Sequence, residues 1–257
     1  MPASRTALAA GSRVYLRYPR AGDARAFIAA ATASRRLHGL WVQAPTTPAR
    51  FRTYVKRFGG PKARDTKTAT HSGLLACRRE DDALVGVFNF SEIVRGGFQS
   101  TYLGYYALAP HAGEGYMSEG LELALQVAFR VLKLHRVEVN IQPANTRSTT
   151  LIGPAGFVRE GFSRRYVKIA GRWRDHERWA LLVEDWRARR KSRRGPRRGA
   201  APSRLRSRPR PAQRSRSASM HRAPRPASPS RRMRSTRTAS CSTKATASNI
   251  NSAHGRR

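Results

Sequence analysis

The chain has 257 residues, a formal net charge of +36, two cysteines and no run of about 18 apolar residues, so the sequence offers neither a membrane-spanning helix nor a disulfide framework. Arg5, Arg13 and Arg17 interrupt any apolar leader, and a cytoplasmic chain with no membrane partner is expected. Charge divides the sequence in two: all 15 acidic residues precede Arg189, leaving segment 1–188 at +14, while 189–257 carries 22 Lys/Arg and no acid, a balance that expects anionic neighbours such as RNA.

Segment 1–188 is long enough for one hydrophobic core. Val14–Tyr18 alternates as a short strand ended by Pro19. Asp23 is placed as the N-cap of an Ala-rich helix that turns Phe27 and Ile28 inward. A second helix starts after Thr47-Pro48, carries Phe51, Tyr54, Val55 and Phe58, and stops at Gly59-Gly60-Pro61. Pro61–Thr70 reads as a polar loop. Gly73–Arg79 and Ala83–Phe90 form a hairpin across Glu80-Asp81-Asp82, and Ser91–Gly97 comes next with Glu92 and Arg95. Phe98–Leu108 is the next strand. Met117–Leu132 shows helical spacing through Leu121, Leu125, Ala128 and Leu132. Arg136–Gln142 is a strand, Asn145–Ile152 a helix, Gly156–Tyr166 begins a strand and Arg178–Val183 is the last one. Strands alternating with helices, plus a hairpin, give a mixed α/β (α+β) sheet.

The stretch from Tyr105 to Arg130 organises the rest. A strand ends near Leu108, Pro110 and His111 break it, Gly113 and Gly115 turn the chain, and a helix leaves from about Met117. Free N–H groups at such a helix start make an anion site suited to phosphate, and glycines let the backbone approach it closely. The glycine spacing matches neither a Walker loop nor a dinucleotide fingerprint. On the loop alone, a tight turn with no ligand stands equally open.

The run VGVFNFSEIVRGGFQSTYLGYYALAPHAGEGYMSEGLELAL, then LHRVEVNIQPANTRS, then GFVREGF and GRWRDHERWALL, resembles the GNAT acetyltransferase superfamily. Within it, RGGFQSTYLGYY (Arg95–Tyr106) and GRWRDH (Gly171–His176) resemble the RimJ/RimL-type ribosomal-protein-alanine N-acetyltransferases. The resemblance covers about Val14 to Trp186. It implies a mostly antiparallel sheet with a splayed central strand pair flanked by helices, acetyl-CoA as donor, and transfer without a covalent enzyme intermediate to the N-terminal α-amine of a protein, plausibly ribosomal. Two alternatives stay open: a small-molecule amine as acceptor, and an impaired acetyl-CoA-binding module with an RNA-binding tail.

The resemblance also places residues. The diphosphate would sit on Ala112, Gly113, Glu114, Gly115, Tyr116, Met117 and Ser118, and the pantetheine along the strand edge at Tyr106, Ala107 and Leu108. Asn145 would contact pantetheine, and Ser148 would protonate the leaving thiolate. A helix cap at Asn145 is an equal reading. Many relatives have a Tyr acid one turn later, where this sequence has Ile152, and Gly153-Pro154 interrupts a helix in the region where relatives continue it. Glu92, after a core strand, is the candidate base, with a surface carboxylate as its plainer reading. Arg95 and Tyr105 are candidates for shaping the acceptor pocket. Asp175, with His176, would orient a substrate terminus or form a strand-end ion pair. Glu138 is expected on the solvent face, Cys77 on an interior strand is a poor nucleophile, and no histidine spacing suits a metal.

Residues 189–257 are Arg, Ser, Pro, Ala and Thr almost throughout. Such a segment is expected to be disordered. It reads either as an RNA-binding arm or as the product of out-of-frame translation of GC-rich coding DNA.

Overall fold

Val14–Arg17 (β2) and Ser72–Arg78 (β3) are buried along nearly their whole length, so the sheet is covered on both sides there. A computed structural model describes residues 7–193 and places them in an eight-stranded sheet. The other strands are Ala9–Ala10 (β1), Leu84–Val94 (β4), Ser100–Ala107 (β5), Arg136–Ile141 (β6), Val158–Ile169 (β7) and Arg172–Leu182 (β8). The order is β1-β2-β3-β4-β5-β6-β8-β7, and every pairing is antiparallel except β5 with β6. This is the mixed, mostly antiparallel architecture expected.

Helices Ala24–Ala33 (α1), Arg35–His38 (α2), Pro48–Phe58 (α3) and Pro61–Arg64 (α4) precede β3. On one face of the sheet, Phe27 of α1 and Phe51 and Tyr54 of α3 pack with Leu75, Val87 and Leu108, the Phe27 and Phe51 ring centroids lying 4.8 Å apart. On the other face, Tyr116–Gln126 (α5) sets Leu121 and Leu125 against Leu16, Leu74, Phe88 and Leu103. Thr146–Ile152 (α6) and Val183–Arg193 (α7) complete the set, with Trp186 of α7 buried 5.2 Å from the Phe129 ring.

Several expectations change in detail. Asp23 stands before α1, yet its side chain makes no cap bond there. It turns back to Arg17, 2.8 Å to each of the two terminal guanidinium nitrogens, and accepts the Arg20 N–H at 2.9 Å. Burial decides this, since a buried guanidinium needs a carboxylate more than a helix start does. Thr47 does cap α3, accepting from Arg50 N at 3.3 Å, with Pro48 at the first helical position. Part of the expected 61–70 loop is helical, as α4. β4 runs to Val94, with Glu92 at φ 50 inside an irregularity of register, so the segment after Phe90 is strand rather than connection. The expected 117–132 helix divides into α5 and a π-helical turn, Val127–Val131. The Trp173–His176 stretch belongs to β8, which pairs with β7 from Val158 to Ile169, with two irregularities of register, across a two-residue turn, Ala170-Gly171, both at positive φ. α6 stops at Ile152, so Pro154 breaks no helical hydrogen bond. α7 runs to Arg193, five residues into the segment expected as tail. The rest of that segment, 194–257, with Cys241, lies outside the described residues.

Candidate active site

β5 and β6 make the site by parting. They pair only from Ser100–Arg136 to Tyr102–Glu138. β5 continues to Ala107 beside β4, while β6 turns away to β8. Leu108 N–H donates to Val85 O on the β4 side at 3.0 Å. Strand alternation therefore aims the N–H and C=O groups of Ala107 and Tyr105 at the gap. A cleft of about 760 Å³ opens there, within the usual size of a cofactor site.

The turn from β5 to α5 forms one wall. The Ala109–Pro110 peptide is cis. Gly113 and Gly115 sit at φ 95 and 83, a left-handed conformation that disfavours any side chain, and Gly115 is the N-cap of α5. The N–H groups of residues 111–117 donate to no acceptor among the described residues, whereas Ser118 N–H closes onto Gly115 O at 3.1 Å. A row of unpaired donors at the positive end of an 11-residue helix has the geometry and polarity that suit an anion such as phosphate. Opposite, Asn145 accepts the Ser148 N–H at 3.3 Å as cap of α6 and also lines the cleft. Arg147 stands exposed on the same wall, and among the described residues no carboxylate lines the cleft.

Tyr105 and Ser148 meet across the gap, hydroxyl to hydroxyl at 2.5 Å, with the Ser148 carbonyl 3.3 Å from the same phenol oxygen. Burial pushes the Tyr105 phenol up to about 12, against a smaller opposing effect of the Ser148 hydrogen bond. Tyr105 therefore stays a proton donor through neutral pH.

Of the residues expected to hold a cofactor, Tyr106, Ala107, Ala112, Gly113, Gly115, Met117, Ser118 and Asn145 line the cleft. Leu108, Glu114 and Tyr116 do not. Leu108 is core, Tyr116 is buried under the Arg13 guanidinium, and Glu114 approaches His111 at 3.5 Å. The expected base, Glu92, is not on the cleft and faces His71 at 3.4 Å and Arg57 of α3 at 3.8 Å. Arg95 donates to the carbonyls of Leu132 and Thr66, both at 2.6 Å, which ties two loops together. Asp175 accepts the Arg165 N–H at 2.7 Å in the β7–β8 hairpin, and the buried His176 donates from Nδ1 to Arg174 O at 3.0 Å. Glu138 is half-buried against Arg136 at 2.8 Å rather than free in solvent. Cys77 is fully buried, and burial pushes its thiol up, as suits a structural residue. Among the described residues, no group of three or more His, Cys, Asp or Glu is placed to hold a metal, and no helix is long and apolar enough to cross a membrane.

Sequence reasoning missed the wall contributed by α2 and the residues just after it: Leu37, His38, Trp41 and Val42. His38 donates from Nε2 to Ala107 O at 2.8 Å, and Ser34 Oγ accepts the Ala109 N–H at 2.8 Å. These two bonds pin α1 and α2 to the end of β5. One carbonyl on the open edge is thereby occupied by the protein itself. Nothing in the spacing of SRRLHGLW signals a partner some 70 residues away.

A sheet that parts between two central strands, with an amide-lined turn at the opening, defines an acyl-CoA-type transferase fold. The family model described as an acetyltransferase (GNAT) domain matches residues 13–158, and the chain belongs to that family. It is 39% identical over 115 residues to the probable N-acetyltransferase YjcK of Bacillus subtilis (strain 168), a match covering 45% of this chain and 62% of that protein. It is 40% identical over 107 residues to the [ribosomal protein uS5]-alanine N-acetyltransferase of Escherichia coli (strain K12), covering 42% and 55%. These matches thus span little more than half the length of the curated relatives. Among solved structures, Mycobacterium smegmatis RimJ in complex with CoA-disulfide has the same fold at a TM-score of 0.59 and 24% identity, over 66% of this chain and 82% of that one.

Proposed function

We propose that this protein is an acetyl-CoA-dependent N-acetyltransferase acting on the α-amine of a protein N-terminus, that of a ribosomal protein. The parting of β5 from β6 carries the reading. It leaves the N–H groups of Tyr105 and Ala107, and the Tyr105 carbonyl, facing a cleft that ends at the unpaired amides of 111–117. That donor set fits an amide-rich arm followed by a diphosphate.

Bound there, acetyl-CoA supplies an activated acetyl thioester. The amides of residues 111, 112, 113, 115 and 117, which line the cleft, hold the diphosphate, assisted by the Arg147 charge. The open edge of β5 fixes the arm and aligns the thioester carbonyl, which is the larger part of the task. An α-amine has an ordinary pKa near 8, so a share of it enters already deprotonated near neutral pH. As its nitrogen bonds to the carbonyl carbon and the carbon–sulfur bond breaks, Ser148 gives its hydroxyl proton to the departing sulfur. Tyr105 donates to Ser148 Oγ and replaces that proton, and the proton released by the amine passes through solvent back to Tyr105, so both hydroxyls end as they began.

The exposed Arg147 on the cleft wall repels a polyamine, whose cationic groups need anionic partners, and among the described residues no carboxylate lines the cleft to supply one. The test is incubation with labelled acetyl-CoA and a panel of ribosomal-protein N-terminal peptides plus spermidine. Label on the α-amine of a peptide supports the reading. Label on spermidine alone, or none with cofactor binding retained, overturns it.

A further inference from the structure

We propose that the helical layer α1–α4 is a docking surface for the phosphate backbone of RNA, separate from the basic stretch that ends the chain. From Ala24 to Arg64 the sequence holds seven Arg and two Lys and no Asp or Glu. The fold turns Phe27, Phe51 and Tyr54 of this layer onto the sheet, leaves Leu40 and Trp41 exposed between α2 and α3, and leaves the cations outside: Arg35 and Arg36 on α2, and Arg50, Arg52 and Lys56 on α3, are all exposed. Elsewhere on the described surface several cations meet acids, although Arg164, Arg165, Lys168, Arg172 and Arg174 of the β7–β8 hairpin enter no ion pair among the described residues and so give a matched comparison. Arg78 pairs with Asp81, Arg136 with Glu138 and Glu160, Arg159 with Glu177, and Arg189 with Glu122. The five named cations of the layer enter no ion pair among the described residues, and Arg57 alone there meets an acid, Glu92.

This arrangement works against the free protein. Arg52 and Lys56 lie one turn apart on the same face of α3, where like charges repel. Arg50 stands in the first turn, where the helix dipole disfavours a cation, and α3 has no acid in that turn to offset it. A polyanion relieves both costs. Exposed arginine forks suit phosphate, and the exposed face of α3 offers only Ala49 and Thr53 between its cations, so it lacks the apolar ridge that a membrane-surface helix inserts. The layer adjoins the cleft through Leu37, His38 and Trp41. The choice of RNA over another polyanion rests on the proposed ribosomal acceptor, which would arrive carried on RNA. A ribonucleoprotein gripped at α2 and α3 would hold its free N-terminus near the thioester.

The test uses the full chain, without acetyl-CoA, and a short fluorescent RNA hairpin titrated at several salt concentrations. One variant replaces Arg35, Arg36, Arg50, Arg52 and Lys56 by Gln. A control replaces Arg164, Arg165, Lys168, Arg172 and Arg174 of the β7–β8 hairpin by Gln. Both keep residues 194–257, so any contribution of that stretch is common to them. The layer variant should lose RNA affinity by about 100-fold or more at low salt, and its slope of log affinity against log salt should fall by about 4, from five contacts at roughly 0.7 to 0.9 each. The control should change by less than about fivefold. Equal behaviour of the two variants overturns the proposal. So does competition by a DNA hairpin of the same length, by polyglutamate or by phosphatidylglycerol vesicles that matches competition by unlabelled RNA. Acetylation of a free peptide, measured without RNA, should be the same in the layer variant and the parent, so loss of RNA binding and loss of transferase activity are read separately.

Discussion

Replacing Ser148 by Ala tests the chemistry most directly. The Ser148 hydroxyl lies 2.5 Å from the Tyr105 hydroxyl on the cleft wall, and among the described residues no other side-chain acid or hydroxyl is bonded to it. A positioned proton donor contributes roughly 100- to 10,000-fold in general, but a thiolate with a pKa near that of an ordinary thiol, about 8.5, leaves readily and needs less help. The expected loss in kcat is therefore about 10- to 100-fold, or about 1.4 to 2.7 kcal/mol, with KM for acetyl-CoA changed less than about twofold. Tyr105→Phe removes one hydrogen bond of about 1 kcal/mol and should lower kcat about fivefold. Because Tyr105 acts only through Ser148, the double variant should be no slower than Ser148→Ala alone. Stability should fall by about 1 kcal/mol in Ser148→Ala, since the Tyr105 hydroxyl keeps the Ser148 carbonyl at 3.3 Å. The assay is thiol release with a peptide acceptor, read as separate kcat and KM. A Ser148→Ala kcat within twofold of the parent refutes the assignment, and additive losses refute the relay.

Three other outcomes rest on the same structure. Gly115→Ala forces a left-handed conformation on a side chain, at about 1 to 2 kcal/mol, and should weaken acetyl-CoA binding by about 5- to 30-fold in calorimetry; undiminished affinity would remove the turn from the cofactor site. Asp23→Ala leaves the Arg17 guanidinium buried and unpaired and should cost about 3 to 5 kcal/mol in urea unfolding, with Arg17→Met/Asp23→Leu recovering most of it; a loss below about 1 kcal/mol would show the pair to be dispensable. Burial holds the His176 imidazole below its ordinary value, and burial with the Arg57 charge does the same for His71. The unfolded chain then binds more protons than the folded one as pH falls through about 6.5, so stability is full above that point and declines below it. His176→Asn should flatten the decline of the urea midpoint between about pH 7 and about pH 5, and an unchanged slope would show that His176 does not contribute.

Much of the site is legible in the sequence because it is local. The strand end at Tyr105–Leu108, the glycines at 113 and 115 and the helix start near Met117 are consecutive, and backbone conformation over so few residues is set by glycine, proline and apolar spacing. The cap at Asn145 and the start of α3 at Thr47-Pro48 are local in the same way. Where sequence and structure part, distance along the chain is the cause. Glu92 has the sequence position of a base because it comes after a core strand, but an irregularity in β4 turns it to His71 and Arg57. The β7–β8 hairpin reads as two short pieces because its exposed aromatic and arginine residues break simple alternation. α7 is hidden in basic composition, and its place is fixed by Trp186 filling a pocket against Phe129.

The amino-acid sequence by itself determined the class of sheet, the glycine turn and the basic character, since period, turn chemistry and charge are properties of neighbouring residues. Only the tertiary structure decided which hydroxyl meets Ser148, which strand edge stays open, and that α2 supplies a wall of the cleft. Those contacts join residues dozens of positions apart, and their energies depend on burial that no local pattern records.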